Sequence, residues 1–274
     1  MPFIGVVYLG VCLLFWSIQN NYIYEPEPKL QATPDRLGLK AEESFIHSGT
    51  GSESGDIHSW WMPGTSIDAP TMLYLHGNDK NVGYVRELEY AKMMQTQGYS
   101  VLMIDYRGYG KSSGGKPSEA KIYEDAESAW NYLVKQRNIR PNRIFIYGHS
   151  LGGAIAINLA IHHPEAAGII SESSFTTMAD EVSVLGYGFM PTGILVHEKF
   201  DSLSKVPNLK IPLLIIHGTL DKVVPVQMGQ KLFDAAGQPK TIKLVEGGGH
   251  EDSCMVNRRE CEGIISLFVT QSLH

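Results

Sequence analysis

Cysteine is scarce in this chain. Its 274 residues carry three, and none stands in a C-x-x-C pair or a metal-ligand cluster. That leaves no basis for a disulfide framework or a structural zinc site. Cys254 and Cys261 fall on an expected helix, two turns apart and too far for a bridge along it, so free buried thiols are expected. Basic charge is also short, with 23 Lys and Arg against 29 Asp and Glu and a net charge of −6. A nucleic-acid binder would show a basic face, so no nucleic-acid partner is expected. Hydrophobic residues make up 43% of the chain, far too few for a polytopic membrane protein. Internal repeats and low-complexity tracts are missing. So is a P-loop: five residues before Gly110-Lys111-Ser112, where that motif needs glycine, stands Asp105.

The amino terminus is the exception to this plain composition. Phe3 to Ile18 is an almost unbroken apolar run, about 24 Å long as a helix against a hydrocarbon core of ~30 Å. Trp16, Tyr22 and Tyr24 suit an interface. No basic segment precedes the run, and no small-x-small cleavage site follows it. Residues 1–24 are therefore expected to be a single uncleaved membrane anchor, with membrane association through residues 3–18. A cleaved signal and a helix packed on the domain are the alternatives. Lys29, Arg36 and Lys40 follow the run and lean towards a cytoplasmic domain, but the membrane side stays open. Residues 25–40 are polar, contain Pro26, Pro28 and Pro34, and read as a linker into a domain covering 41–274.

Within that domain, strand-like and helix-like runs alternate. Strands are expected at 43–47, 57–62, 71–75, 100–105, 143–147, 168–172, 212–217 and 241–245. Helices are expected at 82–97, 118–136, 151–163, 226–236 and 251–267. Such alternation predicts an α/β fold, a mainly parallel, doubly wound sheet of eight strands. One stretch, 175–210, is too long for an ordinary connection and rich in apolar residues, and it leaves the sheet on the ligand side. It is expected to form a short lid.

The pattern G-x-S-x-G occurs twice. Gly148-His149-Ser150-Leu151-Gly152 lies directly between an apolar strand run and a helix, the context of a nucleophile elbow. Gly110-Lys111-Ser112-Ser113-Gly114 is followed by Gly115-Lys116-Pro117, which cannot open a helix, so it reads as a loop.

A serine nucleophile needs a base, and the base needs an acid that fixes its tautomer. In an elbow protein these follow in the order acid, then histidine. Asp221 stands after the apolar strand 213–216 and the turn His217-Gly218-Thr219-Leu220. His250 stands after the strand 241–245 and Gly247-Gly248-Gly249. Rival acids are Asp201, Glu246 and Asp252. His149 is expected to point away from the base, and His76 to organise its own loop. The oxyanion donors are expected to be the backbone amides of Leu151, next to the nucleophile, and of Asn78, in the loop after the third strand.

Leu75-His76-Gly77-Asn78, Asp105 to Ser112, Gly148 to Gly153, Glu172-Ser173-Ser174-Phe175-Thr176, His217 to Asp221 and Gly249-His250 together resemble the α/β-hydrolase superfamily. The resemblance runs from about residue 40 to the end. It is strongest to single-domain serine hydrolases of the serine-aminopeptidase-like or monoacylglycerol-lipase-like branch. It implies Ser150, Asp221 and His250 as the catalytic triad, Asn78 and Leu151 as the oxyanion hole, and neither cofactor nor metal. Asp79 and Lys80 depart from the small residues such relatives often carry after His-Gly-Asn. The function implied is acyl-enzyme hydrolysis of an ester or thioester on a small-molecule or lipid acyl substrate. A peptidase is the alternative, with Asp180, Glu181 or Glu198 holding a substrate amine. A non-catalytic binding module is the alternative from outside enzymology. Oligomeric state stays open.

Overall fold

In the computed structural model, which describes residues 2–273, the eight apolar runs pair into one sheet. The strands are β1 (Glu42–Ser48), β2 (Gly55–Met62), β3 (Thr71–Leu75), β4 (Ser100–Ile104), β5 (Ile144–His149), β6 (Gly168–Glu172), β7 (Leu213–Gly218) and β8 (Lys240–Val245). Their order across the sheet is β8-β7-β6-β5-β3-β4-β2-β1. β1 and β2 are antiparallel, as are β2 and β4, and every other pairing is parallel. Every residue of β3, β4, β5, β6 and β7 is buried. Helices cover both faces, and strands covered on both sides read as continuous apolar runs rather than alternating ones. That is why Thr71–Leu75 and Leu213–Ile216 were legible.

The main helices are α1 (Pro2–Ile18), α2 (Val85–Thr96), α3 (Glu119–Asn131), α4 (Leu151–His162), α5 (Val226–Ala235) and α6 (Arg258–Ser272). α3 and α4 pack on one face with a core that includes Ile122, Trp130, Ile155 and Leu159. α2 and α6 pack on the other, around Leu88, Met93, Ile265 and Phe268. Met1 and His274, the outer bounds of the expected segments, lie outside the described residues.

Two expectations need correction. The membrane anchor is the first. α1 is 17 residues long, and among the described residues no helix is long and apolar enough to cross a membrane. At 1.5 Å per residue it reaches only about 25 Å, and Gln19, Asn20 and Asn21 end the apolar run. The location expected from a membrane-spanning anchor at residues 1–24 falls with it. α1 instead lies against the 175–210 segment. Cys12 is buried, Phe15 packs on Tyr187 at 5.6 Å between ring centroids, and the Tyr8 hydroxyl donates to the Phe189 carbonyl at 3.2 Å.

The cysteine pair is the second. α6 begins at Arg258 and not at residue 251, so Cys254 sits in the turn before the helix. Its Cα lies 5.4 Å from that of Cys261, within bridging range, and the two sulfurs form a disulfide.

Residues 25–40 run along the body. Glu25 and Pro26 pair in parallel with Asp79 and Lys80, and the Asn81 amide donates to the carbonyls of Glu27 at 2.7 Å and Lys29 at 3.0 Å. The 175–210 segment carries three short helices, Met178–Val182, Thr192–Leu195 and Ser202–Lys205.

Candidate active site

β5 and α4 meet at Ser150 with almost no intervening chain, and the serine takes up the cost. Its φ is +54° and its ψ −118°, in a region where a residue with a Cβ is strained. The glycines around it answer to crowding. A Cβ on Gly148 would overlap the Gly152 carbonyl, and one on Gly152 would overlap the carbonyl of Leu75 on β3. Ser150 N–H donates to the Glu172 carbonyl at 2.8 Å, which locks the turn to β6.

The Ser150 side chain faces His250, with Oγ 3.0 Å from Nε2. On the other side of the ring, Nδ1 lies 2.8 Å from Oδ2 of Asp221. Asp221 is held in turn by its own loop, since Oδ1 accepts the N–H groups of Val223 at 3.0 Å and Val224 at 2.8 Å. Burial works against its charge. Even so, hydrogen bonds from His217 and His250, the charge on His250 and the Val224 amide keep its carboxyl below the usual range. The structure thus brings Ser150, His250 and Asp221 into one unbroken chain. Ser150 and its neighbour His149 come from the elbow, and the other two residues come from the loops after β7 and β8.

The rival acids have other work. Asp252 accepts from Gly249 N–H at 2.8 Å and ties the glycine loop. Asp201 caps the helix at 202–205 through Ser204 N–H at 3.0 Å. Glu246 is exposed. Ser112 belongs to a loop, its hydroxyl donating to the Asp105 carbonyl and accepting from His58 N–H, each at 2.8 Å.

Asn78 and Leu151 both line the cavity that contains Ser150. As the first residue of α4, Leu151 has no intrahelical carbonyl for its amide. The Asn78 peptide is fixed on its other side. Its carbonyl accepts from Glu25 N–H at 3.0 Å and the Tyr109 hydroxyl at 2.7 Å, and its side chain donates to the Ile23 carbonyl at 3.1 Å.

Three contributors escaped the sequence reading. His149 does not turn away from the base. Its Nε2–H donates to the His250 carbonyl at 2.9 Å, and the two rings stand 5.2 Å apart. Burial, with the charge of Arg86, drives its imidazole down to about 4, so it is neutral at physiological pH. Glu172 is the second. Its buried carboxylate accepts from Tyr90 at 2.6 Å, from Tyr147 at 2.5 Å, from the Ser253 hydroxyl and from Cys254 N–H at 3.1 Å. These bonds anchor the loop that carries His250 to β6. The available signals were an acidic residue ending an apolar strand and its place in the Glu172–Thr176 stretch that carries the resemblance.

The third is α1. A cavity of about 330 Å³ opens over Ser150, walled by Leu14, Phe15 and Ile18 on one side and Met178, Val182 and Phe189 on the other. Gln19 stitches the two walls, donating to the Leu195 carbonyl and accepting from His197 N–H, each at 3.0 Å. Among the described residues, no group of three or more His, Cys, Asp or Glu side chains could hold a metal ion.

A family model described as Serine aminopeptidase, S33, matches residues 69–202 and 200–252. The chain belongs to this family. The matched stretches contain every residue of the Ser150–His250–Asp221 chain, and S33 membership supports hydrolase activity on an α/β-hydrolase fold. The uncharacterized protein Rv2307c of Mycobacterium tuberculosis is similar over nearly the whole length. It is 32% identical over 276 residues, covering 99% of this chain and 95% of that protein. An α/β hydrolase from Vibrio vulnificus superposes with a TM-score of 0.74 at 25% identity, covering 91% of this chain and 92% of that one. The Pyrococcus furiosus esterase Pf2001 shares the fold at TM-score 0.75 and 18% identity, covering 92% of this chain and 99% of its own.

Proposed function

We propose that this S33-family chain is a serine hydrolase that cleaves esters or thioesters of lipophilic acyl groups through an acyl-enzyme. One observation carries the reading: the Ser150–His250–Asp221 hydrogen-bond chain opens into a cavity whose walls are mostly apolar. Ser150 Oγ attacks the acyl carbonyl as His250 Nε2 takes its proton, and Asp221 stabilises the imidazolium. The carbonyl oxygen, now an anion, is held by the Leu151 and Asn78 amides, each worth about 3–4 kcal/mol in such sites. Collapse expels the alcohol or thiol, which takes the proton from His250. Water, deprotonated by His250, then attacks the acyl-Ser150 ester, and the freed acid leaves Ser150 reprotonated. The acyl chain lies between α1 and the 175–210 segment, which acts as a lid.

A fluorophosphonate probe is expected to label the wild type and leave Ser150→Ala unlabelled. Labelling that persists at another serine would overturn the assignment.

Membership of a family described as serine aminopeptidases favours an aminopeptidase as the second reading. Of the three carboxyls that could hold a substrate amine, two have other partners. Asp180 accepts from the Thr176 hydroxyl at 2.5 Å, and Glu198 accepts from Tyr24 at 2.5 Å and Asn20 at 3.2 Å. Comparing p-nitrophenyl acyl esters with aminoacyl anilides separates the two readings, with esters expected to be turned over faster.

A further inference from the structure

Glu181 is the third of those carboxyls, and it lines a mostly apolar cavity. It projects from the helix Met178–Val182, whose start is capped by the Thr177 hydroxyl accepting from Asp180 N–H at 3.0 Å. Its side chain lines the cavity over Ser150 and is only 6% exposed. Its Oε2 is buried with no hydrogen-bond partner. The other polar side chains on the wall are accounted for. Gln19 is spent on the backbone of residues 195 and 197, Asn78 on Ile23, and Tyr22 and Tyr187 are exposed.

Burial lifts the Glu181 carboxyl to about 8, and the negative charge of Asp221 adds to the effect. Asp221 is the charged group whose field reaches it; Asp180, next to it in the helix, is turned to Thr176. At neutral pH, then, the roof of an apolar cavity carries a proton-bearing carboxyl with one oxygen unsatisfied. Such an orphan is unfavourable, and leucine at this place would avoid the cost. Among the described residues no group supplies the missing partner. A carboxylic acid donates best to an uncharged oxygen, whereas an ammonium would require Glu181 to ionise beside Asp221.

We propose that Glu181 donates a hydrogen bond to an uncharged oxygen of the substrate, making this a site for acyl esters that carry a hydroxyl, ether or second carbonyl near the scissile bond. The inference rests on Ser150 being the nucleophile and adds the feature by which one lipophilic ester is chosen over another.

The test is an oxygen scan: p-nitrophenyl esters of one chain length, with one methylene replaced by an ether oxygen at successive positions. At one position the wild type is expected to show a KM about tenfold below that of the all-carbon ester, the worth of one hydrogen bond. Glu181→Gln, whose amide still donates, keeps that preference, and Glu181→Leu removes it. In the wild type the preference fades as pH rises through about 8 and the proton is lost, a readout that stands even if Glu181→Leu fails to fold. The proposal is overturned if no position is favoured, if the preference survives Glu181→Leu, or if an aminoalkyl ester of equal length is preferred to the ether. Fluorophosphonate labelling of Ser150 with turnover of the all-carbon ester keeps the hydrolase reading standing in each of those cases. Loss of both overturns the two together.

Discussion

Ser150 and Ser112 sit at the centre of the same five-residue pattern, 38 residues apart in the chain, and the fold treats them in opposite ways. Around Ser150 the glycines are demanded by backbone pressing in from β3 and α4. Around Ser112 they are demanded by dihedral angle, with φ of +51° at Gly110 and +98° at Gly114, and a Cβ there would first meet the side chains of Asp105 and Arg107. The residue before each serine differs as sharply. His149 is buried against the His250 loop, whereas Lys111 is exposed beside Glu43. Both hydrogen-bonding roles of the Ser112 hydroxyl are used inside its loop. The Ser150 hydroxyl meets an imidazole at the edge of a cavity. The pentapeptide specifies small residues at two places and a hydroxyl between them. Whether that hydroxyl is a structural tie or a candidate nucleophile depends on what the flanking elements bring to it.

The comparison breaks most visibly in kinetics. Ser150→Ala is expected to lower kcat/KM on a p-nitrophenyl acyl ester by about 10⁶, the loss seen when a serine nucleophile is removed. Ser112→Ala is expected to stay within about twofold of the wild type. Comparable losses in both variants, measured on protein with unchanged circular dichroism, would mean that the flanking elements do not separate the two serines.

A smaller effect concerns the residue before the serine. The folded protein holds the His149 imidazole near 4, below its unfolded value of about 6.5. The unfolded chain therefore binds a proton in this range that the folded protein does not. Stability is complete above about 6.5 and declines as pH falls towards 4. Between pH 7.5 and 4.5 the loss from this one group is about 2–3 kcal/mol. That window stays above the range in which Asp221, held low, loses its own contribution, and Glu181, lifted to about 8, gains stability as pH falls in the wild type and in His149→Phe alike. Urea midpoints at the two pH values should show a shallower acid slope for His149→Phe than for the wild type. Equal slopes would mean that the buried ring does not carry this linkage.

How much of this was legible beforehand depended on the range of the interactions. The five strands β3 to β7 could be read because burial on both faces leaves continuous apolar runs such as 144–147 and 213–216, and the more exposed β1 and β8 from their place in the strand–helix alternation. The order Ser150, Asp221, His250 was legible because each residue follows a strand end. Long-range partners were not. The apolarity of α1 was visible, but apolarity alone does not distinguish lipid from a protein wall. Its partners, Tyr187 and Phe189, lie more than 170 residues further on. The Cys254–Cys261 bridge was missed because the helix was started too early, and Asp252 holds that stretch in a turn. His149 was misjudged because strand alternation says nothing about a side chain entering a strained turn.

The smallest effect is the most discriminating one, because it asks whether Ser112 has the structural work assigned to it. Its hydroxyl takes the N–H of His58 and gives its own proton to the Asp105 carbonyl. His58 is fully buried and sits between Asp105 at 2.8 Å and Glu43 at 2.9 Å, where β2 meets the interior of the sheet. Ser112→Ala would leave a backbone donor in that setting without a partner, at a cost of about 1–3 kcal/mol. Chemical denaturation is expected to show that loss while esterase kinetics hold. A variant as stable as the wild type would remove the structural reason for a serine in the loop copy. A variant that loses rate but no stability would assign chemistry to the wrong member of the pair.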